Sequence, residues 1–178
     1  MYTAVLNFWF REIEPRQWWA VDPEFDARIR DRFLPLLEQA ASGELSGWRQ
    51  TPEGRLAEVI VLDQFSRNIF RNTPRAFLQD PLAFSLSHQA VSSCAIAFLE
   101  PMERVFLLMP YMHSESVMVH QEAERLFKKW TPATNYDFEL RHKAIIDRFG
   151  RYPHRNWILG RLSTPEEEEF LKQPGSSF

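Results

Sequence analysis

The sequence predicts an all-α protein of stacked antiparallel helix pairs, organised as a single helical domain over residues 1–178. Three observations carry that expectation. Asp22-Pro23, Thr51-Pro52, Asp80-Pro81 and Thr164-Pro165 each open a stretch with helical periodicity. At such a start the side chain caps free amide groups, and a proline at the first helical position gives up no hydrogen bond. The stretches that follow are about ten to twenty residues long, and short turns between them favour antiparallel neighbours. No segment offers a strand for another to pair with.

Taken in order, residues 3–11 (Thr-Ala-Val-Leu-Asn-Phe-Trp-Phe-Arg) read as a short apolar helix. Asp22-Pro23 starts a helix through about Ala41 with Phe25, Ile29, Phe33, Leu36 and Leu37 on one side, a kink or break at Pro35, and Gly43 as its stop. Thr51-Pro52 starts the central helix. Its segment Val59-Ile-Val-Leu-Asp63-Gln-Phe-Ser-Arg67-Asn68-Ile-Phe-Arg71 is apolar on all sides, as in a helix surrounded by protein. Asp80-Pro81 opens the next helix, and Glu100-Pro101 another that Pro110 ends. Ser114 or Ser116 starts a helix through Trp130, with Val119, Ala123, Leu126, Phe127 and Trp130 sharing a face; residues 136–149 follow, closed by Gly150. Acids in the first turn of the last helix, Glu166 to Glu169, suit the helix dipole and read as a solvated cap.

Composition narrows the function. A net charge of -3 argues against nucleic acid and acidic lipid as partners. No apolar run approaches the ~20 residues that cross a bilayer, and no charged-then-apolar leader opens the chain, so a cytoplasmic setting is expected. The single Cys94, in Val-Ser-Ser-Cys-Ala-Ile-Ala, reads as a small buried hydrophobe. Fifteen Phe and six Trp favour a large aromatic core.

Chemistry concentrates in three places. Asp63, Arg67 and Arg71 recur every four residues along the central helix, with Asn68 beside them. They fit a buried ion network that fixes helix packing, or a pocket whose guanidiniums hold a carboxylate or phosphate; Arg75 lies close enough in sequence to add to it. His113 and Glu115, in Pro110-Tyr-Met-His-Ser-Glu115, sit at the mouth of a helix where a histidine near a carboxylate serves as a general base. Arg151, His154, Arg155 and Asn156, in Arg148-Phe-Gly-Arg-Tyr-Pro-His-Arg-Asn156, form a basic loop that either complements a helix C-terminus or grips an anion. His120 is expected to face water, and His142, in line with Phe138, Ile145 and Phe149, to be a hydrogen-bonded core residue. No His-Glu-x-x-His spacing, phosphate loop or nucleophile elbow occurs, so no metal and no cofactor is expected.

Leu62-Asp-Gln-Phe-Ser-Arg-Asn-Ile-Phe-Arg71, Asn72-Thr-Pro-Arg-Ala-Phe77, the 110–115 and 148–156 motifs and Pro174-Gly-Ser-Ser-Phe178 resemble a bacterial family, domain of unknown function nine-twenty-four, from about Val5 to the last residue. The resemblance implies a right-handed, tetratricopeptide-like stack of helix pairs and no established activity, substrate or cofactor. The family's polar motif positions fall on Asp63, Gln64, Arg67, Asn68, Arg71, His113, Ser114, Glu115, Arg151, His154, Arg155 and Asn156. Ser66 stands where the family often has proline. Together these features favour a binding or scaffolding module for a small anion, a protein or an acidic peptide. The alternative is an enzyme acting on a small anionic substrate, with His113, Glu115 or His154 as candidates for acid-base work and the arginines as charge clamps.

Overall fold

The computed structural model describes residues 1–177; Phe178, which ends the Pro174 motif, lies outside the described residues. Helices account for the regular structure, and no strand occurs among the described residues. They are α1 (Tyr2–Asn7), α2 (Pro23–Ala41), α3 (Pro52–Ile60), α4 (Ser66–Ile69), α5 (Asp80–Ser92), α6 (Pro101–Met112), α7 (Val117–Trp130), α8 (Ala133–Phe149) and α9 (Pro165–Leu171). A wide π-helical turn, Val61–Phe65, joins α3 to α4, and another, Phe8–Glu12, extends α1.

Most of the cap chemistry holds. Asp22 accepts from the amides of Glu24 and Phe25 at 2.9 and 3.2 Å, and Thr51 from that of Gly54 at 3.0 Å. Thr164 and Glu167 exchange bonds as a reciprocal box, and so do Glu100 and Glu103. Asp80 departs from the pattern: Gln79 takes the cap position, and no side-chain cap bond forms. Its carboxylate is spent elsewhere.

Pro35 does not break α2. It lies on the exposed side, where water can serve the carbonyl that its missing N–H leaves open. Pro110 likewise sits inside α6, which continues to Met112. Helix α8 begins at Ala133, before the expected start at Tyr136, because Pro132 stands at its cap. Cys94 corrects its expectation: it is exposed, since it takes a left-handed φ of 59° where the chain turns away beyond α5.

The core forms around the central helix. Every residue from Leu56 to Ser66 is buried, as its all-round apolar pattern requires. Trp9, Phe33, Phe65 and Phe106 interlock beside it, with ring centroids 4.7 Å apart for Phe33–Phe65 and 5.5 Å for Trp9–Phe106. A smaller cluster of Ile145, Ile146 and Tyr152 packs with Phe149 and Phe170. Helix α7 packs against both α6 and α8, which brings the loops after α6 and α8 to the same region. No helix among the described residues is long and apolar enough to cross a membrane.

Gly54 sets a sharp test of this packing. A Cβ there would lie 2.0 Å from the backbone oxygen of Trp48. Alanine within a helix usually stabilises by about 1 kcal/mol relative to glycine. Here the sign should reverse, with Gly54→Ala losing about 2 kcal/mol or more in urea unfolding, because backbone must move.

Candidate functional site

Asp63 is the buried anchor. It sits in the π turn, where the widened backbone is a common feature of functional sites. Its Oδ1 lies 2.7 Å from His113 Nδ1 and 3.1 Å from Arg67 Nη1, while Oδ2 accepts from Gln64 Nε2 at 2.6 Å. Arg67 then donates to both oxygens of Asp80 at 2.9 and 3.0 Å, the paired geometry a guanidinium favours. Arg155 reaches Asp80 Oδ2 only at 3.5 Å. Its guanidinium is held between the rings of Phe77 and Tyr152, 4.7 and 4.6 Å from their centroids.

Burial alone would raise the Asp63 carboxyl, but Arg67 and His113 overcome it and hold the group well below the usual carboxylate range. Burial lowers His113, and Arg67 adds to this against the pull of Asp63 and Asp80. Neutral His113 therefore donates its Nδ1 proton to ionised Asp63, which can only accept, and keeps a lone pair on Nε2. The His113 side chain as a whole keeps 16% exposure. His154 is pushed down to about 4 by burial and Arg155, and His142 to about 3 by burial. Arg155 is itself lowered by burial and by Arg67, and its Nε is buried without a hydrogen-bond partner among the described residues.

The remaining sequence-selected residues lie in separate pairs. The helix ends at Ile69, so Arg71 is not in line with Asp63 and Arg67; it turns to Asp26 of α2 with bonds of 2.6 and 2.8 Å, and Asn68 joins the same carboxylate at 2.8 Å. Arg75 rests over the ring of Phe70. Glu115 takes both arms of Arg161 at 2.6 and 2.9 Å and the amide of Tyr152 at 2.8 Å. Arg151 pairs with Glu167 at 2.7 and 2.8 Å, and Asn156 bridges Ser163, Glu167 and Arg161. Glu167 is thus a buried tie, and the acidic run of α9 is more than a solvated cap.

His120 also corrects its expectation. It is fully buried, 2.7 Å from Glu139 and 2.9 Å from the carbonyl of Ser114. The buried face of α8 runs through Glu139, His142, Ile145 and Ile146, leaving Phe138 exposed. His142 is a hydrogen-bonded core residue, with Nδ1 2.8 Å from the carbonyl of Phe138.

Several members were not singled out in the sequence. Asp26 had a cue, since it shares a stripe with Ile29, Phe33 and Leu37 and so had to be buried. Asp80 was masked by its cap-like setting. Glu139 and Arg161 carried no local signal. Of the surface cavities, one of 50 Å³ is lined by residues such as Leu37, Phe70 and Arg75, and one of 370 Å³ by residues such as Gln17, Asp22 and Arg28. Neither includes the Asp63 centre.

The chain belongs to the family described as bacterial protein of unknown function (DUF924), which matches residues 5–175. It is also similar to a solved structure from Agrobacterium tumefaciens, described as a protein of unknown function. That likeness has 34% identity, a TM-score of 0.91 and coverage of 96% of each chain. No curated protein matches the chain.

Replacing Asp63 tests the anchor directly. Asp63→Ala strands Arg67 and His113 and should lower unfolding free energy by about 3–5 kcal/mol. The acid limb has a defined sign. Asp63 has a depressed folded pKa, so its contribution is full above about pH 4 and is lost as pH falls below that. His142 and His154 resist protonation when folded, so unfolded chains take up their protons first between about pH 6.5 and the folded values near 3 and 4. Stability should therefore fall from about pH 6.5 downward, by up to about 1.4 kcal/mol per pH unit for each, in urea titrations.

Proposed function

We propose that the chain is a binding module that takes a small anion, a carboxylate or phosphate, at the centre formed by Arg155, Arg67 and His113. Arg155 carries the reading. Arg71, Arg151 and Arg161 each make two short bonds to one carboxylate, whereas Arg155 keeps an unused buried donor and one long contact to Asp80. A buried polar atom left without a protein partner calls for a water, an ion or a function. A planar guanidinium stacked on aromatic rings is a rigid and weakly hydrated receptor for such groups. The same centre can read an acidic side chain of a peptide, and a tetratricopeptide-like stack of helix pairs would suit that partner.

A second reading rests on the 2.7 Å contact between His113 and Asp63. An imidazole oriented by a buried carboxylate, with its other nitrogen unprotonated, is equipped to remove a proton from a substrate. In this reading the bound anion is the substrate and Arg155 its clamp.

Calorimetric titration with inorganic phosphate, acetate and a glutamate-rich peptide separates these outcomes. Wild type should bind at least one of them, and Arg155→Gln should weaken that binding by about tenfold or more, as for loss of a charged hydrogen bond. Arg151→Gln, whose residue already faces Glu167, should leave it nearly unchanged. Absence of binding by wild type, or equal binding by Arg155→Gln, would overturn the assignment.

A further inference from the structure

Histidine 113 lies between two backbone carbonyls that the protein grips. Tyr152 donates its hydroxyl to the oxygen of Met112 at 2.5 Å, and His120 Nε2 lies 2.9 Å from the oxygen of Ser114. Helix α6 ends at Met112 and α7 starts at Val117, so His113 and Ser114 belong to the turn between them. These two bonds hold the carbonyls of the residues on either side of His113, whose ring Asp63 holds.

The proton count behind this grip is constrained. Tyr152 gives its one hydroxyl proton to Met112, so its oxygen, 3.2 Å from His120 Nε2, can only accept there. The Ser114 carbonyl is also an acceptor. Nε2 of His120 must therefore carry a proton. Across the ring, Nδ1 lies 2.7 Å from Glu139 Oε1, and both residues are fully buried. Either the carboxyl is protonated and donates to Nδ1, or the ring is an imidazolium facing a carboxylate. Glu139 Oε2 has no hydrogen-bond partner among the described residues. A carboxylate with half its charge unsolvated is the more expensive form, while the carbonyl oxygen of a neutral acid tolerates that setting better.

We propose that Glu139, as the neutral acid, and Tyr152 are positioning residues for His113: Glu139 fixes the His120 tautomer that holds Ser114, and Tyr152 holds Met112. The proposal deepens the preceding reading, on which it rests only for the importance of His113. Burial raises Glu139, in agreement, against the opposing influence of His120. Charged groups acting on the pair from neighbouring elements are Glu124 of α7, which favours the acid, and Lys143 of α8, which opposes it. His113 itself faces Asp63, Arg67 and Asp80, and a proton on it would oppose protonation of His142 and His154.

Nitrogen-15 spectra of the histidine rings test this in the full chain without any ligand. At about pH 7 His120 should show a neutral ring protonated on Nε2. An imidazolium pattern there would overturn the acid assignment. Glu139→Gln should keep that pattern, because its amide donates to Nδ1 as the acid does, and should leave the His113 midpoint in place; doubly protonated or released His120 would overturn the role. Tyr152→Phe, checked for helical content by circular dichroism, should raise the His113 midpoint by about half a unit or more as the turn loosens and the ring gains water. A folded Tyr152→Phe with an unmoved midpoint would overturn the positioning claim. Anion binding is measured separately, so a wild type that binds none while its His113 responds would remove the binding reading and leave this one standing.

Discussion

The central constraint is a carboxylate with no water. Asp63 is fully buried in a helix surrounded on all sides, so its charge must be met by protein. Three side chains supply that: Gln64 from its own turn, Arg67 one turn on, and His113 from the end of α6. Each brings a demand of its own. Arg67 needs a second carboxylate and finds Asp80 at the start of α5, and Asp80 in turn draws in Arg155 from the loop after α8. One buried charge thereby ties the central helix, α5, α6 and the 151–156 loop into a common geometry. Such a network specifies how elements meet more than it adds net stability, since burial of the ions offsets much of their attraction.

The same logic distributes the other arginines. Arg71, Arg151 and Arg161 each take a carboxylate from a different element: Asp26 in α2, Glu167 in α9 and Glu115 before α7. They act as struts around the centre, each guanidinium making two bonds to its carboxylate. This division separates residues that the sequence grouped together. Asp63, Arg67, His113 and Arg155, with Gln64 and the added Asp80, form one continuous set of contacts; Asn68, Arg71, Arg151 and Asn156 belong to the surrounding joints.

Helix positions were legible because their signals are local. Asp22, Thr51 and Thr164 cap their own helices within a few residues, and Gly150 closes α8 with a left-handed φ of 68°. The all-round apolar pattern before Asp63 foretold a buried helix for the same reason. Contacts across long separations were not legible. Asp80-Pro81 is chemically identical to a cap, yet its carboxylate serves Arg67, and only the approach of α4 to that turn decides between them. His120 looks like a surface histidine until α8 brings Glu139 against it. The left-handed residue at Cys94 turns a small apolar-looking side chain outward, a backbone effect that composition cannot register.

Charge balance explains why neutral imidazoles gather at this centre. Asp63 and Asp80 offset Arg67 and Arg155, so a proton on His113 would leave a buried positive excess, and Arg67 already opposes it. His154 experiences the same opposition from Arg155. The resting centre is therefore neutral as a whole and contains two imidazoles held below their ordinary pKa values. On the proposed reading, an arriving anion would reverse the preference, since its negative charge would be relieved by a proton on His113 Nε2. Binding of the proposed anion and uptake of a proton would then favour each other, since each would remove the charge penalty of the other.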